Sequence, residues 1–166
     1  NNTGHSSKNR NTENTTLEDV VNVFNSNLLG TVLFTQAVLP SMKKANQGLI
    51  VNVSSVAGLS GSLIAGLSYG AAKAGVINFT EYLNAELKNT MIKATAIMPG
   101  EVNTPIMDNR PVVPSDNSRA TMAKSADVAE TIVFLASLSS TTSIHAMTIM
   151  PNKLRDTSAE LILPED

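Results

Sequence analysis

Gly48-Leu49-Ile50-Val51-Asn52-Val53-Ser54-Ser55 is the stretch on which the fold turns. Leu49 to Val53 is a short, β-branched apolar run, the pattern of a strand buried on both faces of a parallel sheet. A Gly/Ser-rich loop follows over 54–67, and then a helix is predicted over 69–88, with Ser68 as its N-cap and Val76, Phe79, Leu83 and Leu87 on one face. The first turns of that helix hold Gly70, Ala71, Ala72, Ala74 and Gly75, small enough to admit another element at close range. Ile92 to Met98 reads as a second strand, stopped by Pro99-Gly100.

Working outward, residues 1–16 are rich in Asn, Thr and Ser and read as a loop, with Thr15 and Glu18 as a capping box. Leu17, Val20, Val21, Phe24, Leu28 and Val32 recur at helical spacing and predict a helix over 17–39 that stops near Pro40. The segment 101–123 carries Pro105, Pro111 and Pro114 and reads as a long mobile lid loop, with Ile106, Met107, Val112 and Val113 as candidate apolar contacts to a ligand. Ser125 caps a third helix over 126–138, and His145 to Met150 forms a last strand before a polar tail at 157–166. Strands alternating with helices predict an α/β fold: a parallel sheet covered by helices on both faces.

Composition narrows the function classes. The chain has 166 residues, 42% hydrophobic and 16% charged, which fits one globular domain with a real core. A net charge of −2 without a basic run gives no reason to expect nucleic acid or an anionic membrane surface as partner. Without Cys there are no disulfides or thiolate sites, and two His make a zinc site an unattractive expectation, so no metal is expected. No apolar run reaches the roughly 20 residues a membrane span needs, and a cytoplasmic location is the default expectation.

The chemistry gathers around Tyr69 and Lys73, which stand one helical turn apart. A phenol titrates near pH 10 and is a poor acid or base at neutral pH, and a neighbouring ammonium is expected to lower that value. The pair reads as a tuned acid/base. Ser54 and Ser55 end the first strand, where ligands of open parallel sheets bind. A Ser there can hydrogen-bond a substrate carbonyl or simply cap the turn. Pro99-Gly100 ends the next strand and should line the same crevice. Asn27 and Gly30, both weak helix formers, sit inside the first helix.

Together these residues resemble the short-chain dehydrogenase/reductase family. The resemblance runs from about Asn1 to Asp156: Asn1-Asn2-Thr3-Gly4, Asn27-Leu28-Leu29-Gly30, Ile50 to Gly58, Tyr69 to Lys73, and Pro99-Gly100-Glu101-Val102-Asn103-Thr104-Pro105 fall in the family's order. It implies a Rossmann-like, doubly wound, three-layer αβα fold and an oxidoreductase that interconverts a carbonyl and a secondary alcohol with NADP or NAD. It further implies a catalytic tetrad: Tyr69 as acid/base, Lys73 as its tuner and ribose ligand, Ser55 polarising the carbonyl, and Asn27 anchoring a relay water. Asn2, Thr3, Gly4, Tyr69, Lys73, Pro99, Gly100, Val102 and Thr104 are the implied cofactor contacts. Helices 17–39 and 69–88 are the implied surface of a homodimer or homotetramer.

No Gly-x-Gly-x-x-Gly is present, and the family's first strand, its dinucleotide turn and the residue that selects NAD or NADP are expected upstream of Asn1. Residues 1–156 are therefore expected to be the C-terminal, catalytic part of a truncated Rossmann domain, and the isolated chain is expected not to form a stable active enzyme. Two other readings exist. Gly66-Leu67-Ser68-Tyr69-Gly70 fits the nucleophile elbow of an α/β-hydrolase, with Ser68 as nucleophile and Asp127 and His145 as partners. Alternatively, the chain is a non-catalytic truncated paralogue acting through helix–helix association.

Overall fold

The computed structural model describes residues 1–161. Three parallel strands, β1 (Gly48–Val53), β2 (Ile92–Pro99) and β3 (Ala146–Ile149), lie in that order. Gly48 registers with Ile92 and Val53 with Ile97, while Ala96 registers with Ala146. Asn1 adds one rung to the outer edge of β1, its amino group donating to Val51 O and its carbonyl accepting from the Val53 N–H, each at 2.9 Å.

One sheet face is covered by α2 (Gly30–Ala45) and α3 (Leu67–Glu86), and α1 (Leu17–Phe24) packs against α3. Ile50, Leu83, Leu87, Ile92 and Ala94 form the core there, with Leu39, Met42 and Phe79 packed against it. Side chains alternate along a strand, so Leu49 and Lys93 face the other way. On that second face they border a recess with Leu135, Ala136 and Leu138 at the end of α5 (Ser125–Ser137), and the Lys93 ammonium donates to the Ser139 and Thr142 carbonyls. Helices thus stand on both faces, as expected.

Several local expectations give way to tertiary forces. The first helix does not stop at Pro40 but runs to Ala45, closed by Asn46 at φ 45°. Pro40 is exposed, so the carbonyl its missing N–H leaves free can be hydrated, while Leu39 and Met42 on either side pack on the core. The capping box is Thr16 with Asp19, one residue beyond Thr15 and Glu18: the Asp19 N–H donates to Thr16 Oγ1 at 3.1 Å and the Thr16 N–H to Asp19 Oδ2 at 3.0 Å. Ser68 does not cap α3, which begins at Leu67 after Gly66 at φ 86°, a backbone state that favours glycine. Nor does Ser125 cap α5; there the Asp127 carboxylate accepts from the Lys124 N–H at 2.7 Å.

Between α1 and α2 the chain makes a π-helical turn, Asn25–Leu29. The buried stripe of this long helix is Val23, Asn27, Thr31 and Thr35, not the apolar series read from the sequence, and Leu17 and Val21 are exposed. Thr31 donates to the Asn27 carbonyl at 2.9 Å, and Thr35 accepts from the Asn1 side chain at 3.1 Å. A polar lattice of Asn1, Asn52 and Thr80 continues through bonds of 2.8 and 2.9 Å, tying β1 to α3.

The segment 101–123 is not a structureless loop. It holds a 3₁₀ turn over Pro105–Asn109 and the short helix α4 (Asp116–Arg119), and a Val102–Ala123 bridge closes its base. The expected tail at 157–166 is tied down where it is described: Ser158–Glu160 forms a 3₁₀ turn, and Glu160 pairs with Arg110 and Arg155. The rest of that stretch lies outside the described residues.

Candidate active site

The carboxyl ends of β1 and β2 open into a cleft of about 390 Å³. Asn2, Thr3, Gly4, Ser55, Tyr69, Lys73, Pro99, Gly100, Val102 and Thr104 all line it, so every expected site residue except Asn27 meets at one place. The far wall, Val128, Ala129 and Ile132 of α5, reads from sequence only as the apolar face of a helix.

Each catalytic candidate is placed by packing that the small residues permit. A Cβ on Gly58 would lie 2.7 Å from the Lys73 carbonyl carbon and the Ala74 nitrogen, so the loop after β1 rests directly on the α3 backbone. Ser54 and Ser55 both line the cleft, but Ser54 is buried and its hydroxyl is spent on the Lys73 carbonyl at 2.7 Å. Ser55 also accepts from the Ala57 N–H at 3.2 Å and so fixes the turn. A Cβ on Gly75 would meet Leu28 at 2.8 Å, which marks how tightly α3 seats against the π turn.

Lys73 is buried and aims into the cleft, donating to the Val53 carbonyl at 2.9 Å and the Thr3 carbonyl at 3.4 Å. Burial brings its pKa down to about 8. Its Nζ lies 5.6 Å from the centre of the Tyr69 ring. The expectation that Lys73 depresses the Tyr69 pKa is corrected. Burial raises the phenol, and the opposing pull comes from the Ser55 hydroxyl and from Arg10 and Arg110, neither of which stood out in the sequence.

Asn27 is fully buried behind the cleft in the π turn. Its amide donates to the His5 and Val23 carbonyls, both at 2.8 Å, which compensates the weak helix propensity noted at this position. Its Oδ1 has no partner among the described residues, nor does the buried Thr3 hydroxyl. Gly4 stands between: a Cβ there would lie 3.4 Å from Asn27 Oδ1 and 3.8 Å from Lys73 Nζ. The space between the amide and the ammonium is therefore lined by an unspent acceptor and a donor.

Ser68, Asp127 and His145 make no hydrogen bond to one another. Ser68 is buried with an unpartnered hydroxyl, Asp127 caps α5, and His145 pairs with Ser143 at 3.2 Å. Of the expected lid contacts, Ile106 and Met107 line the cleft, whereas Val112 and Val113 are exposed and do not. Among the described residues no group of acidic or His side chains could hold a metal, and no helix is long and apolar enough to cross a membrane.

The chain is similar to known proteins in sequence and in fold. The short chain dehydrogenase family profile matches residues 1–112. The chain is 38% identical over 125 residues to a 3-oxoacyl-[acyl-carrier-protein] reductase of Thermotoga maritima, covering 72% of this chain and 50% of that protein. It is 37% identical over 120 residues to a 7alpha-hydroxysteroid dehydrogenase of Bacteroides fragilis, covering 69% and 46%. It spans about half the length of these curated relatives. Among solved structures, the closed form of a serine dehydrogenase complexed with NADP+ superposes with a TM-score of 0.82 at 27% identity, over 99% of this chain and 68% of that one. A 3-oxoacyl-[acyl-carrier protein] reductase from Brucella melitensis gives 0.80 at 31%, over 91% and 60%. With the motifs in order, the cleft at the strand ends and relatives matched over most of its length, the chain belongs to the short-chain dehydrogenase family.

Proposed function

We propose that this chain is the catalytic part of a nicotinamide-dependent oxidoreductase that interconverts a carbonyl compound and a secondary alcohol. The observation that carries the reading is the convergence of Tyr69, Lys73 and Ser55 on one cleft at the carboxyl ends of β1 and β2. When bound, the nicotinamide ring accepts a hydride from the alcohol carbon or gives one to the carbonyl carbon. NADP and NAD both remain partners of this reading; the structures superposing on the chain include complexes with either.

The residues fit such a cofactor. An ammonium has three donors and Lys73 commits two of them to backbone carbonyls, leaving one for a ribose hydroxyl. Pro99, Gly100, Val102 and Thr104 offer one wall for the nicotinamide, and Asn2, Thr3 and Gly4 the other. In alcohol oxidation the Tyr69 phenolate takes the hydroxyl proton as the carbon–hydrogen bond gives up its electron pair, and a carbonyl double bond forms. Ser55 donates to the same oxygen and holds it in place. Asn27 Oδ1, with its unused acceptor, anchors a water that passes the proton on toward Lys73.

The assembly is a homodimer or homotetramer built on α2 and α3. Leu33 and Phe34 on α2 and Tyr82 on α3 are each more than half exposed, an apolar surface that a second copy would cover. The test of the catalytic reading is nicotinamide-dependent turnover by the full-length gene product over a panel of secondary alcohols, with Tyr69→Phe as control. Loss of turnover in the variant with dinucleotide binding retained supports it. Undiminished turnover in Tyr69→Phe, or labelling of Ser68 by a fluorophosphonate, overturns it.

A further inference from the structure

Ser55 and Tyr69 border two recesses. The larger also contains Lys73; the smaller, of about 120 Å³, does not, and contains Arg10 and Arg110 instead. If the larger cleft takes the cofactor, as proposed above, the smaller one is where the substrate's other end must go.

Its charge is not balanced. Arg110 pairs with Glu101 at 2.7 Å and Glu160 at 3.2 Å, and Arg155 pairs with the same two carboxylates. Among the described residues three guanidinium groups, Arg10 included, face two carboxylates, and the uncompensated positive charge sits on Arg10. No carboxylate pairs with Arg10 among the described residues. Its terminal nitrogens donate to neutral oxygens only: the carbonyls of Ile64, Ala65 and Asn109 and the Ser6 hydroxyl. Its Nε is buried without a partner. Holding a partly buried guanidinium without an anion is costly, and burial together with Arg110 lowers its pKa to about 10. The remaining walls, Val56, Ala57, Ile64, Ile106 and Met107, are apolar and raise the value of a charge pair formed among them.

We propose that this recess receives the carboxylate of a short hydroxy or oxo acid, attracted by Arg10 and Arg110, with the reacting carbon held at Tyr69 and Ser55. The terminal Arg10 N–H groups are held by neutral oxygens, so the carboxylate is drawn by the charge and takes the place of one or more of these weaker bonds. A recess of about 120 Å³ accommodates an acid of a few carbons. The Glu101 carboxylate, which also borders the recess, is spent on Arg110 and Arg155 and leaves the Arg10 charge uncancelled.

The test compares, in the full-length gene product, 3-hydroxybutyrate and lactate each with its uncharged methyl ester, and measures binding of butyrate against butyramide by calorimetric titration. We expect kcat/KM at least tenfold higher for one acid than for its ester, and butyrate to bind at least tenfold more tightly than butyramide. Arg10→Met, compared at the pH optimum of the variant, should lower kcat/KM for the acid at least tenfold more than for its ester. Equal handling of acids and esters with equal binding of butyrate and butyramide overturns the proposal while leaving the oxidoreductase reading intact. Equal loss of acid and ester turnover in a folded Arg10→Met protein overturns it too. If that variant fails to fold, the wild-type comparisons decide. Absence of dinucleotide binding and of all alcohol turnover overturns the underlying reading instead.

Discussion

The Lys73 ammonium donates to the Val53 carbonyl at 2.9 Å, so the last residue of β1 and the second turn of α3 are joined by a side chain that also faces the cleft. The bond makes Lys73 a structural and a chemical residue at once, and the two roles separate with pH.

Lys73 titrates at about 8 in the folded chain against 10.5 in the open one. Between those values the unfolded state holds more protons than the folded state, so this group's contribution to stability rises as pH climbs from about 8 toward 10.5. Below pH 8 its burial penalty is fully present. Urea denaturation of the cofactor-free protein at pH 7.5, 8.5 and 9.5 should show this gain, and in Lys73→Met the gain should disappear. A variant whose stability tracks the wild type through the whole range would contradict the assignment.

Tyr69→Phe should cost about 10²–10⁴ in kcat, the usual worth of a positioned acid/base, with little change in stability. The Ser55 hydroxyl, and then Arg10 and Arg110, oppose the effect of burial on the phenol. Replacing either arginine should therefore move the kcat pH profile upward, because the phenolate loses a cation. A profile unmoved in both variants would remove the arginines from the site's electrostatics.

Glycines offer an internally controlled pair. Gly58→Ala drives a methyl into backbone at 2.7 Å, and backbone cannot step aside cheaply. A loss of about 1–3 kcal/mol is expected from overpacking. Gly61 has nothing within 4 Å of its added carbon, and Gly61→Ala should be neutral or gain up to about 1 kcal/mol. Equal effects of the two substitutions on thermal unfolding would refute the close approach of the loop to α3.

Asn27→Ala removes the hydrogen bonds to the His5 and Val23 carbonyls and empties a fully buried position. About 1–3 kcal/mol should be lost, with the π turn the first element to exchange its amide hydrogens. Exchange as slow as in the wild type at residues 25–29 would count against the role given to this side chain.

How far the sequence could be read depended on whether a residue's role was local. Leu49–Val53, Ile92–Met98 and the helix carrying Tyr69 were legible because period and composition decide them. Ser55 was separable from Ser54 only through the family motif, and the reason is visible in the Ser54 bond to the Lys73 carbonyl. Pro40 misled because a proline rule is a local rule, and packing of Leu39 and Met42 outweighed it. Arg10 and Arg110 went unread for the opposite reason: each lies in a stretch with no periodicity, and their meeting beside Tyr69 is a property of the tertiary structure alone. Asn27 and Gly30 did leave a trace, since two poor helix formers in mid-helix are what a π turn looks like in sequence.

That turn carries a consequence for how this helix tolerates change. It holds one residue more than a regular α-helix needs, and each residue of an α-helix advances about 100° around the axis. Removing a single residue from 25–29 is therefore an angular operation and not a shortening: everything on one side of the cut would swing by about a quarter-turn relative to the other. Asn27 would leave its station beside Gly4, or Thr35 would leave Asn1 at the edge of the sheet, but both could not stay. The extra residue sets the phase between the half of the helix that serves the cleft and the half that serves the core.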